Sequence, residues 1–122
     1  MVNELVSREM IMLSARIAAY PAEHRELSQA LLVWAAAARQ ETDLVSAHVY
    51  EDLEAPAVFS LVSEWTCAAA LDAHLRSDTF GILLGALKVL AGPHHMTVTR
   101  PDDDQLNGAI GAINRLPASF HW

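Results

Sequence analysis

Apolar and polar positions change period several times along the chain, and each change marks an element. In "EMIMLSARIA" (residues 9–18), Ile11, Leu13, Ala15 and Ile17 fall on one side and Met10, Met12 and Ser14 on the other, which predicts a strand. "YPAEHRELSQALLVWAAAARQE" opens with Pro21, which a first helical turn tolerates, carries Glu23 and Glu26 toward the positive end of the helix dipole, and closes with Arg39. Leu27, Leu31, Trp34 and Ala38 recur at helical spacing, so this segment is an amphipathic helix. "LVSAHVYED" and "AVFSLVSEW" are β-rich runs around an acidic turn containing Pro56, and they predict a hairpin.

Downstream, "TCAAALDAHLRS" predicts a short helix and "DTFGILLGALKVLAG" a second, with Phe80, Leu83, Leu84, Leu87 and Leu90 on one stripe. Ser77 or Asp78 can cap that second helix, Gly92 with Pro93 is expected to stop it, and Gly81 and Gly85 are read as permitting close packing. "HHMTVTR" supplies the last strand before Pro101.

The resulting order, β-α-β-β-α-β, is the α+β ferredoxin-like arrangement: one antiparallel four-stranded sheet with helices on one face. Its other face needs a cover, and a second copy of the chain is expected to supply it as a homodimer. Residues 1–100 account for this domain, and residues 101–122 form a C-terminal extension. There an acidic linker precedes Leu106, Ile110 and Ile113 at helical spacing, weakened by Gly108 and Gly111. With Phe120 and Trp122 near its end, the extension is expected to dock on the partner subunit or over a pocket mouth.

Composition narrows the field. At 122 residues the chain builds one hydrophobic core, and 52% hydrophobic against 19% charged residues is a folded composition. A net charge of -7, with the 8 Lys and Arg scattered, disfavours nucleic acid as a partner. No apolar run approaches the roughly 20 residues of a membrane helix, and "MVNELVSREM" lacks the pattern of a signal peptide, so a cytoplasmic protein with no membrane partner is expected. The single Cys67 supports neither an internal disulfide nor a zinc site. His94 and His95, adjacent in a strand, point to opposite faces and cannot readily share a metal.

Trp65 ends the third strand on the same face as Phe59, Leu61 and Ser63, and His74 follows Leu71 by one helical turn. Both can face the space between sheet and helices; on spacing alone they read as core packing.

The block "VYEDLEAPAVFSLVSEWTCAAALDAHLRSDTF" adds to this. It resembles the antibiotic biosynthesis monooxygenase family in its acidic turn, its strand ending in Glu64-Trp65, and the following Leu71, His74, Ser77 and Phe80 at Leu-x-x-His-x-x-Ser-x-x-Phe spacing. The likeness extends over about residues 8 to 100. It implies a dimeric α+β barrel and, for characterised members, oxidation of phenolic or quinol-like polycyclic compounds by O2 without metal, flavin or haem. Deprotonation is much of such a catalyst's task, because an electron-rich phenolate or enolate can give O2 an electron. A histidine suits the proton transfer, and an indole or phenol donor in an apolar pocket suits the anion.

The expected catalytic residues are therefore His74 as proton acceptor, Trp65 as anion donor or ring wall, and Tyr50. Leu61, Ser63, Leu71, Phe80, Leu84 and Trp34 are expected to bind substrate. Tyr50 shares a strand face with Ser46 and His48, which turns either to a pocket or to the dimer interface. Arg16 and Arg100 are expected at the surface or in a salt bridge with Glu64. Departures from the family pattern are Asp43 where a glycine is usual, Ala47 where an aromatic is frequent, and Leu61 where aromatic-polyketide oxygenases can place Asn. The haem-degrading branch is disfavoured, since "GILLGALK" has no iron-ligating His and "IMLSARI" no Asn.

The leading expectation is a cofactor-independent monooxygenase acting on a phenolic, hydroquinone or anthrone-like, polyketide-like aromatic. A non-catalytic dimeric binding protein and a proton-transfer isomerase or cyclase are the alternatives.

Overall fold

The period-two runs form strands and the period-3.6 runs form helices in the computed structural model, which describes residues 10–100. Strand β1 (Ile11–Ala19) leads through a 3-10 turn at Pro21–Glu23 into helix α1 (His24–Ala38). Strands β2 (Leu44–Glu51) and β3 (Val58–Trp65) follow, then the short helix α2 (Ala68–Leu75), helix α3 (Asp78–Leu90) and strand β4 (Ala91–Thr99). The strands make one 4-stranded antiparallel sheet in the order β2-β3-β1-β4, the ferredoxin-like topology expected from the sequence.

Register sorts the side chains by face. Ala15 lies between Leu61 and Met96, and Leu13 between Ser63 and Val98, so these rows share the helix-covered side. There Ile11, Leu13, Ala15 and Ile17 of β1 meet Leu27, Leu31, Trp34, Ala35 and Ala38 of α1 and Phe80, Leu83 and Leu87 of α3 in one buried cluster. Removing a side chain such as Leu27 or Leu31 from water contributes about 1.5–3 kcal/mol each. The small Ala15, Ala35 and Ala38 let backbones approach. Among the described residues the opposite face carries no helix, and it presents Ser14, Arg16, Ser46, His48, Tyr50, Ser60 and Glu64 around Met12 and Val62.

Several local expectations are corrected. Helix α3 stops at Leu90, because Ala91 is already extended (φ -122°, ψ 151°) and Gly92 and Pro93 lie inside β4. As an edge strand β4 accommodates a proline, which only removes one ladder donor. Gly81 and Gly85 do not serve close packing, since a Cβ at either would meet nothing within 4 Å. Arg16 pairs with Asp52 at 3.2 Å rather than with Glu64, whose carboxylate accepts from Ser46 Oγ at 2.8 Å. The expected C-terminal extension, residues 101–122, and its docking lie outside the described residues.

Two polar clusters fix the connections. At the β2–β3 turn the Asp52 carboxylate accepts the backbone N–H groups of Glu54 and Ala55 and the Arg16 guanidinium, and these hold its pKa below the ordinary carboxylate value, the Glu54 N–H foremost. After α1, Arg39 donates from Nε and a terminal nitrogen to the Ala47 carbonyl, at 3.2 and 2.8 Å, tying the end of the helix to β2.

The glycine finding generates a stability prediction. Gly85→Ala should stabilise the protein by about 0.5–1 kcal/mol, because helical alanine loses less backbone entropy and nothing obstructs its methyl. Chemical denaturation of the two proteins checks this. A pH prediction comes from His24, whose Nε2 lies 2.6 Å from Glu51 Oε2. That hydrogen bond raises its pKa above 6.5. The contribution is fully present below pH 6.5 and is lost as pH rises through the raised folded-state value. In an NMR titration His24 should titrate above the ordinary histidine range and return toward it in Glu51→Gln.

Candidate functional site

Strand β3 ends at Trp65 and α2 starts at Ala68, so the chain turns sharply and lays His74 back over the strand end. The Trp65 and His74 rings are stacked at a centroid distance of 4.5 Å and an interplanar angle of 33°, and Phe80 closes a further side of the imidazole at 5.5 Å. Ser77 sets this geometry. Its Oγ donates to the His74 carbonyl at 2.6 Å and accepts from the Phe80 N–H at 3.3 Å, joining the end of α2 to the start of α3.

His74 is 1% exposed, so each of its ring nitrogens needs a partner. Trp34 Nε1 donates to Nε2 at 3.1 Å, and Nδ1 lies 2.9 Å from Glu41 Oε2. An indole nitrogen can only donate, so Nε2 must accept and the proton sits on Nδ1, facing the carboxylate. Trp34, His74 and Glu41 thus form a directed chain from α1 through α2 to the loop before β2. The Thr66 N–H bonds the Asp43 carbonyl at 3.0 Å and holds that loop against the start of α2. Trp65 is fully buried and its Nε1 donates to Ser63 Oγ at 2.9 Å, so its polar edge is committed and its face serves as a wall.

Of the expected site residues, His74, Trp65, Trp34, Phe80, Ser63, Leu61 and Leu71 are all buried, and Trp34, Trp65 and Phe80 meet the His74 ring. Leu84 lies half-buried against the core. Tyr50 is not brought to this cluster. It stands 54% exposed on the helix-free face of β2, with the His48 ring 6.2 Å away. Glu41 was missed. It follows α1 in a loop, 33 residues before His74, where no periodicity links the two. Two strands separate it from the helix that carries His74, so no local spacing signals the pair.

Open space lies one layer further out. A cleft of about 260 Å³ runs between α1 and α3, lined by Ala30, Val33, Trp34, Ala37, Ile82 and Leu83 among others. Of the expected site residues, Trp34 lines it, and the same indole meets His74 from behind. Trp34 is the partition between an outward apolar groove and a buried imidazole. Among the described residues no group of His, Cys, Asp and Glu is placed to hold a metal ion, and no helix is long and apolar enough to cross a membrane.

Comparison with known proteins identifies the family. The antibiotic biosynthesis monooxygenase family model matches residues 10–81, and the chain belongs to that family. Solved structures share the fold. A Deinococcus radiodurans protein, described as a candidate antibiotic biosynthesis monooxygenase, is 25% identical with a TM-score of 0.72, covering 78% of this chain and 95% of that one. A conserved Methanosarcina mazei protein is 22% identical with a TM-score of 0.73, over 80% of this chain and 97% of that one. A Mycobacterium tuberculosis protein is 23% identical with a TM-score of 0.71, over 78% and 97%. No curated protein matches the sequence significantly.

The hydrogen-bond chain makes a prediction of its own. Trp34→Phe keeps a ring in place but leaves Nε2 of His74 buried without a donor, at a cost of about 1–3 kcal/mol. Denaturation measures that cost, and long-range 1H–15N correlation spectra of the wild type should show a His74 proton on Nδ1.

Proposed function

We propose that the protein is a cofactor-independent monooxygenase that oxidises a phenolic, hydroquinone or anthrone-like aromatic with O2. The observation that carries this reading is the Glu41–His74 pair: with its Nδ1 proton facing the carboxylate, the imidazole presents Nε2 as an acceptor to Trp34, which also lines an apolar groove. Membership of the antibiotic biosynthesis monooxygenase family supports the reaction class.

In this reading the substrate reaches Nε2 by displacing the Trp34 indole, and its acidic O–H or C–H gives its proton to His74. Glu41 stabilises the imidazolium so formed, and Trp65 and Phe80 keep the surroundings dry. The electron-rich anion transfers one electron to O2, and the resulting radical and superoxide combine into a carbon-bound peroxide, with a proton supplied by His74. Loss of water from that peroxide leaves a carbonyl on the ring. One oxygen atom enters the product and the other leaves as water, with both reducing electrons drawn from the substrate.

The helix-free sheet face, with Tyr50 and His48 on it, is the surface we assign to a homodimer contact, which removes these residues from the catalytic set. The same geometry also supports a non-catalytic binding protein, because both ring nitrogens of His74 already have partners inside the fold.

O2 uptake by chelator-treated protein over a panel of anthrones and hydroquinones separates the two. Turnover should fall about 10²–10⁴-fold in His74→Gln, the loss typical of a removed acid–base group, while Gln can still accept from Trp34. Saturable binding of a panel compound without O2 uptake would instead identify a binding protein.

A further inference from the structure

Trp34 fills the position from which a ligand would meet the acceptor nitrogen of His74. Its indole is 2% exposed and meets the imidazole edge-on, at a centroid distance of 6.0 Å and an interplanar angle of 65°. Its in-plane N–H donates to Nε2 at 3.1 Å. A phenol also carries its donor on the ring edge, so the two groups present the same chemistry to the same nitrogen. We propose, resting on the oxygenase reading above, that the Trp34 indole is a built-in surrogate of the substrate, and that the substrate is a one- or two-ring phenol that takes its seat.

The surrogate satisfies the base without being consumed. An indole N–H only donates, whereas a phenol O–H ionises at about pH 10 and so has a proton to give. A buried Nε2 without a donor is costly, which keeps the seat filled by one ring or the other. The resting protein is therefore self-inhibited, and substrate competes with the protein's own side chain for its base.

The surroundings leave the indole a way out. On α1 its neighbours about one turn to either side are Ala30 and Ala37, and all three line the cleft of about 260 Å³ between α1 and α3. With only methyl groups beside it on its own helix, the indole can swing into that cleft. The inner seat then opens to a ring arriving from outside.

Size and lining set the class of ligand. The seat is that of two fused rings, and the cleft that takes the displaced indole is smaller than the roughly 300–1,000 Å³ of pockets that enclose larger ligands. Aromatics of three or four rings do not fit while α1 and α3 keep this spacing. Apart from Gln29 and Thr79 the lining is apolar, so the rings beyond the reacting hydroxyl are hydrocarbon or carry one more hydroxyl. This narrows the oxygenase reading to its simple phenols and hydroquinones.

Anaerobic calorimetry with 2-naphthol tests the seat in the absence of any oxidation. Trp34→Ala should bind it about ten-fold or more tightly than the wild type, because no indole has to leave, and should also bind free indole, which the wild type does not. Trp34→Phe is the milder change and keeps the test alive should the alanine variant not fold. It leaves Nε2 without a donor and should show a gain of the same order. The methyl ether of 2-naphthol, with the same rings and no O–H, should bind about ten-fold or more weakly than the phenol. Binding of 2-naphthol should also move the His74 Nε2 resonance in long-range 1H–15N spectra. Equal affinity of wild type and variants, equal affinity for phenol and ether, or an unmoved Nε2 resonance would each overturn the proposal. O2 uptake with 1,4-dihydroxynaphthalene is read separately. Tighter binding in the variants without uptake would support the seat and sink the oxygenase reading, whereas uptake with binding indifferent to Trp34 would sink the seat alone.

Discussion

A histidine sealed from water cannot leave either ring nitrogen without a partner, and this requirement organises the end of the molecule where strand β3 meets helices α2 and α3. Trp34 comes from α1, Glu41 from the loop after it, and Ser77 fixes the turn that aims the imidazole. Were the ring replaced by an apolar side chain, the indole N–H and the carboxylate would each lose their partner. The arrangement couples segments that share no strand pairing and no common helix face.

That coupling sits on an ordinary scaffold. Alternation in β1 and β3 buries one row of side chains, and the stripe on α1 covers it. What distinguishes the protein is where the covering layer is thin. Between α1 and α3 the small Ala30, Ala37 and Ala86 line a groove, and the Trp34 indole both lines it and donates to His74 Nε2.

Much of this was legible in the chain, and for identifiable reasons. Strands and helices declared themselves because the sheet is covered on one side and the helices are amphipathic, so period and burial coincide. Trp65 and His74 were placed together correctly, since a strand end and the next helix turn are local. Glu41 was not found, because its meeting with His74 depends on how α1 and α2 converge, a long-range fact. Tyr50 and the groove illustrate the complementary limit. The alternation put Tyr50 on a face without saying which face the helices take, and the empty space depends on interhelical separation, which no single segment encodes. Arg16, expected at the surface or in a salt bridge with Glu64, is about half exposed and pairs with Asp52 at the hairpin turn.

The clasp of Arg39 on the Ala47 carbonyl has a bearing on how the protein behaves in company. Strand β2 is a border of the sheet, and border strands offer unpaired backbone groups on which a foreign strand can add. By occupying one acceptor midway along that border, and by setting a charged side chain across it, Arg39 interrupts the template that an incoming strand would read. The same residue that finishes a helix therefore guards the fold against growing sideways into aggregates.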